Sequence, residues 1–104
     1  MVKPTLEIGV LWTNSKMTNL HYDAEAADEN IPCTVRLSDS EILIEYHEEG
    51  LVQYRGPNDG SGHFELRADA ISGRATLHMF PGSSRLEGSW VEEGERGMWR
   101  IEMA

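Results

Sequence analysis

The chain has 104 residues, 39% of them apolar, and 18 acidic against nine basic side chains for a net charge of −9. That is enough chain for one domain that buries roughly two thirds of its unfolded surface, and its acidity argues against nucleic-acid phosphate or an anionic membrane as partner. Cys33 is the single cysteine, so no intramolecular disulfide is possible, and the start Met1-Val2-Lys3-Pro4 lacks an apolar leader.

No apolar run approaches the ~18 residues of a membrane helix, so the expectation is a soluble, cytoplasmic protein. The acidity is uneven. Residues 1–54 carry three basic and ten acidic side chains (−7), and residues 55–104 carry six and eight (−2).

Period-2 alternation marks the first strand at 5–12, with Leu6, Ile8, Val10 and Trp12 on one face. Thr13-Asn14-Ser15-Lys16 is turn chemistry, and 17–22 would return as a short strand. The run 23–30 is rich in alanine and acid, without an apolar stripe. It predicts a surface segment or a plug across a barrel end, and it is the one place where a short helix fits. Pro32 resets the chain to extended geometry, and 33–37 follows as a strand, with Cys33 as a small buried hydrophobe rather than a nucleophile.

The strand 41–47 turns through a three-residue loop, Glu48-Glu49-Gly50, into the strand 51–55, setting Val52 opposite Tyr46 and Tyr54 opposite Ile44. A loop over 56–62 follows.

The strongest alternation lies in 62–103. Strands at 63–68, 74–80, 85–91 and 97–103 each place apolar residues on one face. The loop Pro81-Gly82-Ser83-Ser84 sets Met79 opposite Leu86, Leu77 opposite Gly88 and His78 opposite Glu87. The loop Glu92-Glu93-Gly94-Glu95 pairs Trp90 with Gly97, Gly88 with Trp99 and Leu86 with Ile101. Two tryptophans therefore face glycines, where an indole can lie across the missing side chain. On the outer face Glu87 meets Arg100 and Arg85 meets Glu102, two opposite-charge pairs in the same register.

Eight or nine short strands with turns at close spacing predict an all-β antiparallel meander. A small barrel is preferred to a sandwich because closure removes exposed edges. The ending Leu86-Glu87-Gly88-Ser89-Trp90, followed by Gly97-Met98-Trp99-Arg100-Ile101, resembles the Gly-x-Trp strand endings of calycin-type barrels, the lipocalin and avidin-like proteins. That resemblance covers residues 86–101 and implies a barrel able to hold a small ligand. It carries over no binding residue.

Trp12, Tyr46, Tyr54, Trp90 and Trp99 share the inward parity and are the candidate ligand-binding set, for a small apolar or aromatic molecule in the barrel mouth. The blander reading is that they fill the barrel. A second reading makes the acidic 23–30 segment and the Glu48-Glu49 tip a surface for a basic protein, or has the chain self-associate as a homodimer. His63, His78 and Glu87 are the candidates for a metal site, and solvated cross-strand polar pairs are the favoured account of them. No cofactor signature, nucleophile motif or phosphate loop is visible, so an enzyme is not expected.

Overall fold

The computed structural model describes residues 9–21 and 27–104. Its eight strands run in chain order: β1 (Val10–His21), β2 (Ala27–Leu37), β3 (Glu41–His47), β4 (Leu51–Pro57), β5 (His63–Ala68), β6 (Gly73–His78), β7 (Arg85–Glu92) and β8 (Glu95–Glu102). Each pairs antiparallel with the next, and β8 pairs with β1 to close the barrel. This is the expected meander, closed as a barrel and not folded as a sandwich, and it agrees at fold level with a small calycin-like barrel. Between β5 and β6 lies a single 3₁₀ turn, Asp69–Ile71, with Ser72 in the left-handed region at φ 51°.

The alternating apolar positions converge on one interior. Ile42, Ile44, Tyr54, Phe64, Leu66, Leu77, Leu86 and Ile101 are each at most 1% exposed, so side chains fill the barrel. The registers inferred for 62–103 are present except for Met79 opposite Leu86: His63 faces His78, Leu77 faces Gly88, Trp90 faces Gly97, and Gly88 faces Trp99. The β7–β8 connection is tighter than a four-residue loop. Glu92 pairs with Glu95, and only Glu93 and Gly94 turn, with φ 48° and 86°. Two successive positive φ values match the right-handed twist of the flanking strands. Strand β6 stops at His78. Met79 instead donates its N–H to the Gly62 carbonyl, and Phe80 is 75% exposed.

The first part of the chain departs from the sequence reading. Residues 13–16 are not a turn between two strands but lie inside one strand, β1, whose pairing with β2 shifts between Trp12 and Ser15 and again between Met17 and Asn19. The first irregularity moves the inward parity from even to odd positions. Ser15 is consequently fully buried, and its Oγ donates to the Trp12 carbonyl (3.3 Å) and accepts from the Ala104 N–H (3.1 Å). Val10, expected inside, is 51% exposed. The predicted stretch 5–8 lies outside the described residues.

No helix or plug occupies 27–30. These residues begin β2, with Asn19 opposite Asp28 and Leu20 opposite Ala27, and 22–26 are outside the described residues. Pro32 sits within β2, not ahead of it. It stands opposite Lys16 of β1 and beyond the β2–β3 ladder, which extends only as far as Thr34, so this part of β2 is paired on one side alone, as suits a proline in a strand.

Candidate functional site

One end of the barrel gathers most of the aromatic set. It is built by the C-terminal part of β1, the start of β2, the end of β3 with its loop, and the β7–β8 hairpin. Trp99 is the hub. Its ring lies 4.8 Å from Tyr54 and 6.0 Å from Tyr46, both edge-on, and 6.3 Å from Trp90. Edge contacts of this kind set the positive rim of one ring against the negative face of another. Four of the five candidate residues are thus brought together. Trp12 is not among them: it pairs with Val35, seven residues along β1 from Asn19, and is only partly buried.

Glycines make room for the cluster. A Cβ on Gly97 would sit 2.8 Å from Trp90 Cζ2, as the sequence suggested, and would also strike the Leu20 carbonyl. Gly88 is different. A Cβ there would meet the backbone of Thr76 and Leu77 rather than the Trp99 indole, so close strand approach explains that glycine. Gly73 takes the Tyr54 hydroxyl end, a relationship that sequence spacing did not suggest.

Polar groups then organise the mouth. Trp90 Nε1 donates to Asn19 Oδ1 (2.9 Å), Asn19 Nδ2 lies 3.2 Å from His21 Nε2, and the His21 ring stands edge-on to Trp90 at 5.0 Å. Tyr54 Oη donates to Glu92 Oε1 at 2.6 Å. Burial first, and then the Glu92 carboxylate, holds both the Tyr46 and Tyr54 hydroxyls protonated well above the ordinary tyrosine range. Trp99 Nε1 is buried without a hydrogen-bond partner among the described residues.

Beside this layer opens a cleft of about 500 Å³ bordered by Met17, His21, Ile31 and Tyr46 together with Asp28, Glu29 and Glu48. A smaller recess of about 40 Å³ reaches Trp90, Trp99, Glu92 and Glu95. The site thus has an aromatic floor and an acidic rim. Asn19, His21 and Glu92 were not singled out by spacing. The inward position of Asn19 and His21 depends on the β1 irregularities and on the β1–β8 closure that sets Asn19 opposite Trp99, whereas Glu92 shares the parity of Trp90 on β7 and reads in the sequence as a solvated hairpin tip.

Burial pushes the Cys33 thiol up to about 11, so it stays protonated at neutral pH. His63 Nδ1 is 3.1 Å from His78 Nε2, but His63 Nε2 is engaged by Glu65 Oε1 at 2.7 Å. Glu87, although opposite His78, turns its carboxylate to Arg85 (3.3 Å) and Arg100 (3.5 Å). Among the described residues no three His, Cys, Asp or Glu side chains form a group able to hold a metal ion.

Comparison with protein-family models, with curated proteins and with solved structures finds no match for this chain.

Proposed function

We propose that the chain is a small cytoplasmic binding protein of lipocalin-like design, taking a small apolar or aromatic ligand at the acidic end of the barrel. The observation that carries this reading is the meeting of the Tyr46–Trp90–Trp99 cluster with the cleft beside His21 and Ile31. The ligand would lie against Tyr46 and His21, with Trp90 and Trp99 as the layer beneath, because the interior itself is filled. Asp28, Glu29 and Glu48 on the rim favour an aromatic compound that carries an amine, attracted both by the carboxylates and by the ring faces. A single buried cysteine suits a reducing compartment.

Titration of intrinsic tryptophan fluorescence with phenethylamine, and with 2-phenylethanol as its neutral counterpart, tests the reading. Saturable quenching that is stronger for the amine and lost in Tyr46→Ala supports it. No saturable change with either compound, together with no retained mass in native mass spectrometry, would overturn it.

A second reading is favoured by the convergence of Asp28, Glu29 and Glu48 on one cleft: this end could receive the basic surface of a protein partner or of a second copy. Such binding would weaken steeply with salt and on neutralising Asp28, Glu29 and Glu48, whereas the aromatic cleft would still bind 2-phenylethanol at high salt.

A further inference from the structure

On the opposite, outward side of the strands, the ladder registers place arginines in one cross-strand row. Arg55 on β4 faces Arg67 on β5, and Arg67 faces Arg74 on β6. Like charges directly opposite one another disfavour a sheet. Elsewhere on its outer face this chain pairs opposite charges, Arg85 with Glu102, Glu87 with Arg100 and Lys16 with Glu102. The arginine row is also unexpected in a protein of net charge −9.

The row is poorly neutralised. Arg55 reaches Glu41 only at 3.9 Å and Arg67 reaches Asp69 only at 3.7 Å, with the two arginine side chains 55% and 64% exposed. Arg74 is exposed and makes no ion pair among the described residues. With strands about 4.8 Å apart, Arg55 and Arg74 stand only about 10 Å apart across Arg67. Three flexible guanidinium groups at that spacing can close on one oxyanion, each offering paired N–H donors.

Beside Arg55 and Arg67 the wall of the barrel has a recess. The β4–β5 ladder holds a single pair, Arg55 with Arg67, and beyond it the 3₁₀ turn replaces β5 as the neighbour of β4. The resulting groove of about 230 Å³ is bordered by Leu51, Val52, Ala70 and Ile71 next to the two arginines. An apolar slot adjoining a cationic row fits one kind of occupant.

We propose that Arg55, Arg67 and Arg74 form a binding site for a small organic oxyanion, a phosphate monoester of an apolar or aromatic body. The phosphate sits over Arg67 and the body lies in the groove along Leu51 and Ile71. Asp69, which shares the groove, gives up its long contact with Arg67 when the anion arrives. This site is separate from the aromatic cleft and does not depend on it.

The test is an NMR titration of the full chain in low-salt buffer, reading backbone amide and arginine Nε–Hε signals, with 1-naphthyl phosphate, inorganic phosphate and 1-naphthol as probes. Saturable shifts at Arg55, Arg67 and Arg74 are expected with naphthyl phosphate, weaker ones at the same arginines with inorganic phosphate, and none at the arginines with 1-naphthol. Arg67→Gln should weaken naphthyl phosphate by about tenfold, as expected for losing a charge-assisted contact, whereas Lys16→Gln and Arg100→Gln, which lie off the row opposite Glu102 and Glu87, change it less than about twofold. Leu51→Asp should weaken naphthyl phosphate more than inorganic phosphate.

Without a ligand, Arg67→Gln should leave the melting temperature unchanged or raise it, because a like-charge contact is relieved. Absence of saturable shifts at the three arginines, an affinity indifferent to Arg67→Gln and Arg74→Gln, or a melting temperature that falls in Arg67→Gln as for a core substitution would each overturn the proposal.

Discussion

Trp90 lies on the space that a side chain at Gly97 would need: the indole Cζ2 is 2.8 Å from where a Cβ would stand, and the Leu20 carbonyl closes the other side. The indole could yield by a rotation, but the Leu20 backbone belongs to the β1–β8 seam that closes the barrel. Gly97→Ala should therefore destabilise by about 1–3 kcal/mol, the usual range for overpacking a filled interior. Thermal unfolding by circular dichroism reads this as a clear drop in melting temperature. Gly82→Ala is the control. It has open space but a φ of 77°, so only backbone strain opposes it.

The Tyr54–Glu92 hydrogen bond ties β4 to the end of β7 across the mouth. Tyr54→Phe should cost about 1–2 kcal/mol by leaving the half-buried Glu92 carboxylate with one partner fewer. Glu92→Gln keeps an acceptor and should cost less. Urea unfolding of both variants gives the comparison.

Stability should fall in alkali. In the folded chain burial, followed by Glu92, keeps Tyr46 and Tyr54 protonated above the ordinary range, whereas unfolded tyrosines lose their protons near pH 10. Above about pH 10 the unfolded chain thus binds fewer protons than the native one, so stability decreases as pH rises, by up to about 1.4 kcal/mol per pH unit for each tyrosine. The contribution is intact below pH 10. Cys33, raised from 9.0 to about 11, adds the same sign over that interval. Urea midpoints that stay level across about pH 9 to 11.5 would contradict this.

Cys33 should resist thiol reagents in the native protein. Its side chain is 5% exposed and its thiol is pushed up to about 11, first by desolvation and against the smaller opposing effect of Lys16. Modification at pH 8 should become fast only on adding denaturant, and Cys33→Ala should be tolerated with a loss of about 1 kcal/mol.

Ser15 holds the irregular stretch of β1 by accepting from the Ala104 N–H, while the Asn14 N–H donates to the Ala104 carbonyl at 2.9 Å. Ser15→Ala should leave the part-buried Ala104 N–H without its acceptor and cost about 1 kcal/mol. Hydrogen exchange should show faster exchange confined to the Ala104 amide and its β1 neighbours. Uniform loss of protection across the barrel would argue against this local role.

The residue pattern by itself determined the strands of the second half and their registers, because alternation, a glycine beneath a tryptophan and opposite charges on the outer face all demand the same pairing of β7 with β8. It also placed Tyr46, Tyr54, Trp90 and Trp99 on one inward parity. Those signals are local, since they act between strands joined by short turns.

Tertiary structure decided the rest. The β1 irregularity exchanges the inward parity between Trp12 and Ser15, and no alternation rule anticipates it, because the buried Ser15 is satisfied by Ala104, distant in sequence. Ala27 and Asp28 read as part of an alanine- and acid-rich surface segment, yet they become strand by pairing with β1. The mouth, where Asn19 and His21 meet Trp90 and Trp99, arises from the β1–β8 ladder that forms only when the sheet curls round, and the row joining Arg55, Arg67 and Arg74 from the β4–β5 pairing across the 56–62 loop, which no turn spacing fixed. Closure converts separately solvated side chains into neighbours, and that neighbourhood is a property of the barrel and not of any one strand.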